Sequence, residues 1–219
     1  MKLLAIDTST EACSAAMHIR GETISRYEFA PRKHAELILP MVDQLLAEAQ
    51  IRLSDLDAIA FGRGPGAFTG VRIATGVAQG LAFSVGLPLI PVSSLATLAQ
   101  SVNGQAEYIA SIIDARMEEV YYGLYRSNDI VALIGEECVI SPEKIIAGNC
   151  TNCVGVGSGW ARYADILQRV FTGHLNGYNA DHYPHARDMI PLAIRAFRNG
   201  DVKAPEEAAP VYLRNNVTG

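Results

Sequence analysis

AIDTSTEACSAAMH, residues 5–18, and IIDARMEEVYYGLY, residues 112–125, follow one plan 107 residues apart. Each opens as an apolar run closing on an aspartate, Asp7 or Asp114. Each then crosses a short turn carrying Glu11 or Glu118 in register and enters a second apolar run. The alternation reads as strand, turn, strand in both copies. The offset is close to half of the 219 residues, so the pattern predicts an internal duplication. The expected fold is α/β with two lobes, 1–104 and 105–219, divided where Asn103, Gly104 and Gln105 interrupt the pattern.

Outward from the first copy, residues 23–29 read as a third strand of a meander, after a turn at Gly21 and Glu22. From His34 to Gln50 the positions Leu37, Ile38, Met41, Val42, Leu45, Leu46 and Ala49 recur at helical spacing. A buried strand at 56–62, a helix over 68–85, a strand at 87–92 and a short helix from Ser94 to Val102 complete the lobe. In the second lobe the expected elements are a strand within 129–140, a helix from Ser141, a strand at 152–157, and helices near 160–171 and 185–199.

A hydrophobic content of 49% is enough for a substantial core. The first residues break their apolar run at Asp7, so they lack the long apolar stretch of a secretory signal, and a cytoplasmic protein is expected. The uncharged run 73–92 is interrupted by Gly86 and Pro88 and lacks basic flanks, which argues against a membrane span. Net charge is −5 with no basic run, a poor footing for binding nucleic acid alone; any tRNA contact is expected to be indirect. Cys13, Cys138, Cys150 and Cys153 offer one CxxC but no second pair at zinc-site spacing. They read as buried or incidental thiols, with a redox pair at 150/153 as the alternative.

Two constellations stand out as chemistry. The glycines of FGRGPGAFTG, residues 61–70, precede a helix. They lack the Gly-Lys-Ser/Thr ending of a P-loop, and no acid follows until Glu107, which excludes a dinucleotide fingerprint. An anion cradle and a tight strand-to-helix turn both remain open. The second constellation is Asp7 with Asp114, two carboxylates at equivalent strand ends that suit a hydrated magnesium ion on a nucleotide.

The helix over 68–85 carries one charge, Arg72. On a helical wheel its apolar arc leaves a strip of Phe68, Arg72, Thr75, Gln79 and Phe83, too apolar for simple exposure. Ile38, Met41 and Leu45 run along one side of the preceding helix. Either the two helices pack on each other within the lobe, or they present a surface to a partner.

These motifs, with PRKHAELILPMV (31–42), LPLIPVSSLATLA (87–99) and PVYLRNN (210–216), resemble the TsaB family, also called YeaZ. That family sits in the actin, sugar kinase and heat-shock ATPase superfamily. The resemblance implies two ribonuclease H-like (actin-like) lobes, each a mixed sheet with helices. It implies a non-catalytic subunit for N6-threonylcarbamoyladenosine formation in tRNA, which binds and stabilises the transferase TsaD. The ATPase TsaE joins through that complex, and a homodimer forms when TsaD is absent. The helix pair, with His34, Ile38, Met41, Leu45, Phe68, Arg72, Thr75, Gln79 and Phe83, is the implied interface. Asp7 and Asp114 become vestigial nucleotide-binding residues. The metal-binding histidine pair of the catalytic paralogue falls on Ser94 and Leu98, so neither a metal nor another cofactor is expected. VGVGSGW (154–160) occupies the adenosine-side turn, where Trp160 departs from the pattern. His182 and His185 lie in a Pro-interrupted segment and read as structural. An autonomous magnesium-dependent ATPase or kinase is the competing reading; a metallopeptidase lacks any HExxH or comparable ligand set.

Overall fold

The computed structural model describes residues 1–148 and 150–214, which form two compact units. Among the described residues the first comprises Met1–Thr97 and Pro184–Val211, the second Leu98–Tyr183 and Tyr212–Arg214.

The first unit is built on β1 (Leu3–Asp7), β2 (Ala12–Ile19), β3 (Glu22–Phe29), β4 (Ala58–Gly64) and β5 (Leu89–Ser93). The sheet order is β3-β2-β1-β4-β5. The first three strands are antiparallel, with Leu3 opposite His18 and Asp7 opposite Ser14; β4 and β5 add in parallel. Parallel addition requires crossovers, supplied by α1 (His34–Ala49) before β4 and α2 (Phe68–Val85) before β5. Leu4, Ile6, Cys13, Ala15, Met17, Ile59 and Phe61 meet Ile38, Met41, Val42 and Leu45 of α1 and Ala78 and Ala82 of α2 in one core. Burying a side chain the size of Ile38 or Leu45 contributes roughly 1.5–3 kcal/mol, which is why the helical spacing holds α1 against the sheet. α2 ends at Gly86, whose left-handed φ of 71° lets its N–H return to Ala82.

α6 (Ala186–Asn199) also packs on this sheet, its first N–H donated by Ala186 to Ser14 Oγ at 2.9 Å. Lys203 then pairs with Leu89 at the β5 edge. The expected boundary at 104/105 therefore changes: the chain passes to the second unit after Thr97, and 184–211 belongs to the first. The amphipathic face of α6 buries Met189, Ile190, Leu192 and Ala193 against the first sheet. Sequence order alone assigns that face to the nearer lobe.

The second unit repeats the plan with β6 (Tyr108–Arg116), β7 (Glu119–Arg126), β8 (Ala132–Ile140), β9 (Cys153–Val156) and β10 (Leu175–Asn179), in the order β10-β9-β6-β7-β8. β7 and β8 are antiparallel and β9 and β10 parallel, so both sheets share one topology. This repeated order, an antiparallel three-strand meander extended by two parallel strands, is the arrangement expected of ribonuclease H-like lobes. Three details differ from expectation. α3 (Ser94–Gln100) stops two residues early, and the helix expected from Ser141 is a single 3-10 turn at Pro142–Lys144. The segment 160–171 forms two short helices, α4 (Ser158–Arg162) and α5 (Ala164–Val170). Trp160, Leu167 and Phe171 fill this core with Ala110, Ile112 and Val120.

Candidate functional site

β1 delivers Asp7 to the sheet's end, where its side chain is fully buried. Oδ1 accepts from Ser9 N at 2.8 Å and Ser9 Oγ at 2.7 Å, while Oδ2 has no hydrogen-bond partner among the described residues. Gly62 of β4 lies against that oxygen, where an added Cβ would collide with it. Loss of water raises the carboxyl to about 6, outweighing the two Ser9 bonds that favour the anion.

The glycine turn serves the same corner of the fold. A Cβ on Gly66 would run into the Ser9 carbonyl, and one on Gly70 into the Thr8 carbonyl. With only hydrogen there, the first turn of α2 presses onto residues 8 and 9. Ala67 N donates to Ser9 O at 2.7 Å, and Thr8 Oγ1 donates to Gly70 O at 2.7 Å. Of the two readings left open, the geometry supports the close-packed strand-to-helix turn.

Near the end of β6 the equivalent aspartate accepts the same local bond, Arg116 N donating to Asp114 Oδ1 at 3.0 Å. The second oxygen differs from its counterpart in Asp7. Asp114 Oδ2 lies 3.2 Å from Arg116 Nη1 and 3.7 Å from Arg162 Nη1, and Asp114 N donates to Ser158 Oγ. One duplicated carboxylate is dry and half-partnered; the other is in an ion pair.

The glycines of VGVGSGW make room for protein, since Cβ atoms on Gly155 and Gly159 would strike the Trp160 indole and Ile112. Trp160 is fully buried, donates Nε1–H to Ala110 O at 3.1 Å and stacks on Tyr178 at 5.2 Å. Leu98 is buried and would meet a Cβ on Gly157; Ser94 Oγ is buried without a hydrogen-bond partner among the described residues. His185 caps α6, its Nδ1 accepting from Arg187 N at 3.0 Å, and stacks on Tyr27. Burial lowers it to about 4, so the ring is neutral, as that cap requires. Cys150 and Cys153 are buried, and desolvation raises both thiols. Among the described residues no group of three or more His, Cys, Asp or Glu side chains is placed to hold a metal ion. No described helix is long and apolar enough to cross a membrane.

The helix pair divides sharply. Ile38 and Leu45 are fully buried, and Met41, His34 and Thr75 are nearly so, within the first unit's own core. Met41 meets Cys13 through sulfur, and Thr75 Oγ1 donates to Val71 O at 2.8 Å. Gln79 is half-buried, with Nε2 donating to Pro205 O and Ala208 O. The expected outward face is thus corrected: these six side chains are covered by the sheet or by the chain's own later segment. Phe68, Arg72 and Phe83 remain outward, with Phe68 58% and Phe83 77% exposed. They share that side of α2 with Thr69, Gly76, Gly80 and Ser84. Nothing lies within 4 Å of where a Cβ on Gly76 or Gly80 would stand. Arg72 sits over the Phe68 ring, 3.2 Å from guanidinium carbon to centroid, and donates to Phe68 O. α2 therefore presents two large rings on either side of a pair of bare glycines. The exposed glycines were the signal in the sequence that the wheel, which scores apolar side chains, passed over.

The family model described as tRNA N6-adenosine threonylcarbamoyltransferase (TsaD) matches residues 21–218. The tRNA threonylcarbamoyladenosine biosynthesis protein TsaB of Escherichia coli K12 is 43% identical over 99% of this chain and 96% of its own. The chain belongs to the TsaB family. The TsaB protein of Haemophilus influenzae is 42% identical over 100% of this chain and 95% of its own. The solved structure of YeaZ from Pseudomonas aeruginosa superposes with a TM-score of 0.90 at 47% identity, covering 97% of this chain and 99% of that one. Membership makes the protein one of threonylcarbamoyladenosine biosynthesis on tRNA, and the duplicated lobes are those of a TsaB protein throughout.

Proposed function

We propose that the chain acts in threonylcarbamoyladenosine formation as a non-catalytic subunit that binds and stabilises a TsaD transferase. The outer side of α2 is the docking face. The observation that carries this reading is the line Phe68, Arg72, Gly76, Gly80, Phe83: exposed rings flank glycines that leave backbone open, on a helix with a single charge. Glycines in a helix interior cost stability relative to alanine, roughly 0.5–1 kcal/mol each, and close approach of another helix is the return that offsets it. In the absence of TsaD a second copy of the chain uses the same face, and TsaE and tRNA engage through the assembled complex. The Asp114 ion pair and the indole-filled glycine run favour a subunit without its own phosphoryl chemistry.

The test is reconstitution of threonylcarbamoyl transfer to tRNA with TsaD and TsaE, with and without this chain. Modification is expected to depend on the chain and to be lost when Gly80 becomes Glu. Full modification without it ends the proposal. The competing reading, a magnesium-dependent ATPase, draws on one observation, the unpartnered Oδ2 of Asp7. Calorimetry with ATP and magnesium on the isolated chain separates the two: micromolar binding abolished by Asp7→Ala belongs to the ATPase reading alone.

A further inference from the structure

The turn between β6 and β7 departs from its duplicate. Arg116, Met117 and Glu118 take φ values of 62°, 54° and 59°, three consecutive non-glycine residues in the left-handed region. Side chains are crowded against the backbone there, so such a run persists only where other contacts hold it. In the first copy none of residues 8–11 takes a positive φ, although Ser9 N and Arg116 N make the same bond to the preceding aspartate.

What holds the second turn comes from the far end of the chain. Arg214, with a side chain only 17% exposed, donates Nη2 to Glu119 Oε2 at 2.6 Å and to Arg116 O at 3.3 Å. Its Nη1 lies 3.5 Å from Met117 Sδ. One planar guanidinium thus engages the first residue of the turn, its exposed tip and the first residue of β7. With two acceptors on Nη2 and the Met117 sulfur on Nη1, the contacts use both prongs of arginine and not the single point of lysine. On the other side of the turn, Arg116 reaches Asp114 through both its N–H and its guanidinium.

We propose that Arg214 is a latch: it fixes the 116–118 turn in its left-handed form and so keeps Arg116 across Asp114, holding that carboxylate in an ion pair. The arginine of PVYLRNN then has a conformational task in the second unit, and removal of one guanidinium 98 residues away in sequence opens the turn.

Trypsin reads this directly, because cleavage of the Arg116–Met117 bond requires both an opened turn and an Arg116 side chain withdrawn from Asp114. The full-length chain and its Arg214→Ala, Arg214→Lys and Glu119→Gln variants are digested under native conditions. Each cut is timed by mass spectrometry, with cleavage after Arg126 and Arg169, neither of which pairs with Asp114, as internal controls. Cleavage after Arg116 is expected to quicken by about tenfold or more in Arg214→Ala, in proportion to the open population, with the control sites unchanged and Arg214→Lys intermediate. Glu119→Gln keeps Arg214 and removes only its carboxylate, so it decides the matter if Arg214→Ala quickens every site together by unfolding. An unchanged rate after Arg116 in folded Arg214→Ala, or in Glu119→Gln where that variant decides, overturns the latch.

Discussion

Gln79 Nε2 donates to the carbonyl oxygen of Ala208 at 3.0 Å, and to that of Pro205 at the same distance. The two carbonyls belong to the first residue of the 3-10 turn Pro205–Glu207 and to the residue after it, so one amide on α2 pins a segment more than 120 residues later in the chain. Neutral hydrogen bonds of this kind contribute about 1 kcal/mol each, and a half-buried carbonyl left bare costs more. Gln79→Ala is expected to lower stability by about 1–2 kcal/mol in urea unfolding, and to speed amide exchange at 204–211. Association through α2 should survive. A variant as stable as the parent but unable to associate would return Gln79 to the partner surface.

Asp7 makes a second prediction through pH. Its folded carboxyl titrates at about 6, against an ordinary 3.8. A raised acid favours folding while protonated, so its contribution is full below the unfolded value near 4 and is lost as pH rises through 6. About two units correspond to roughly 3 kcal/mol between pH 4 and pH 8. Asp7→Asn retains an oxygen for the Ser9 N–H and hydroxyl and has no charge to desolvate. Its urea stability should be less pH-dependent across that window than the parent's, and higher than the parent's at pH 8. Parallel pH profiles for the two proteins would show that Asp7 is not held dry.

Trp160 is the single tryptophan of the chain and sits in the second unit's core, so its fluorescence reports the unfolding of that unit. Gly155→Ala drives a methyl into the indole, and Trp160→Phe removes the bond to Ala110 while keeping a ring against Tyr178. Gly155→Ala is expected to cost about 1–3 kcal/mol by overpacking, seen as an earlier fluorescence transition. Trp160→Phe, followed by circular dichroism, should cost a similar amount. A neutral Gly155→Ala would mean the indole has room to shift.

The duplication was legible because alternation marks strands and because each copy closes on an aspartate; Asp7 does end β1, while β6 runs two residues past Asp114 to Arg116. The helices also emerged near their observed limits, α2 at 68–85. Helical spacing tells which side chains share a face, but not whether a sheet or a partner covers it. Spacing alone leaves Ile38, Met41, Leu45 and Thr75 open to either cover, and the partner face that the resemblance implies for them gives way to the first unit's own sheet and helices. Gln79 and Arg214 find partners 126 and 98 residues away, separations that no local pattern encodes. β10 escaped because Asn176 and Gly177 dilute its alternation, and the turn at Pro142–Lys144 imitates a helix start without the apolar repeat to extend it.

The outward line of α2 yields the sharpest prediction because the same helix supplies its own control. Gly76 and Gly80 face open space, so a side chain at either meets nothing in the isolated chain. Replacing glycine in a helix interior by alanine should stabilise the fold by about 0.5–1 kcal/mol. A methyl at Gly80 holds an approaching helix further off, and a carboxylate there must be desolvated on docking. Gly80→Ala is therefore expected to raise the melting temperature while weakening association, and Gly80→Glu to abolish association in a folded protein. Phe83→Ala, which removes a ring that is 77% exposed, should weaken association without loss of stability. Met41→Glu is the contrasting variant: its side chain is buried in the core beside Cys13, so it should unfold the first unit before any contact is tested. Light scattering and pull-down with TsaD, each paired with a melting curve, make the comparison. Association of Gly80→Glu at parental strength would remove this face of α2 from the interface.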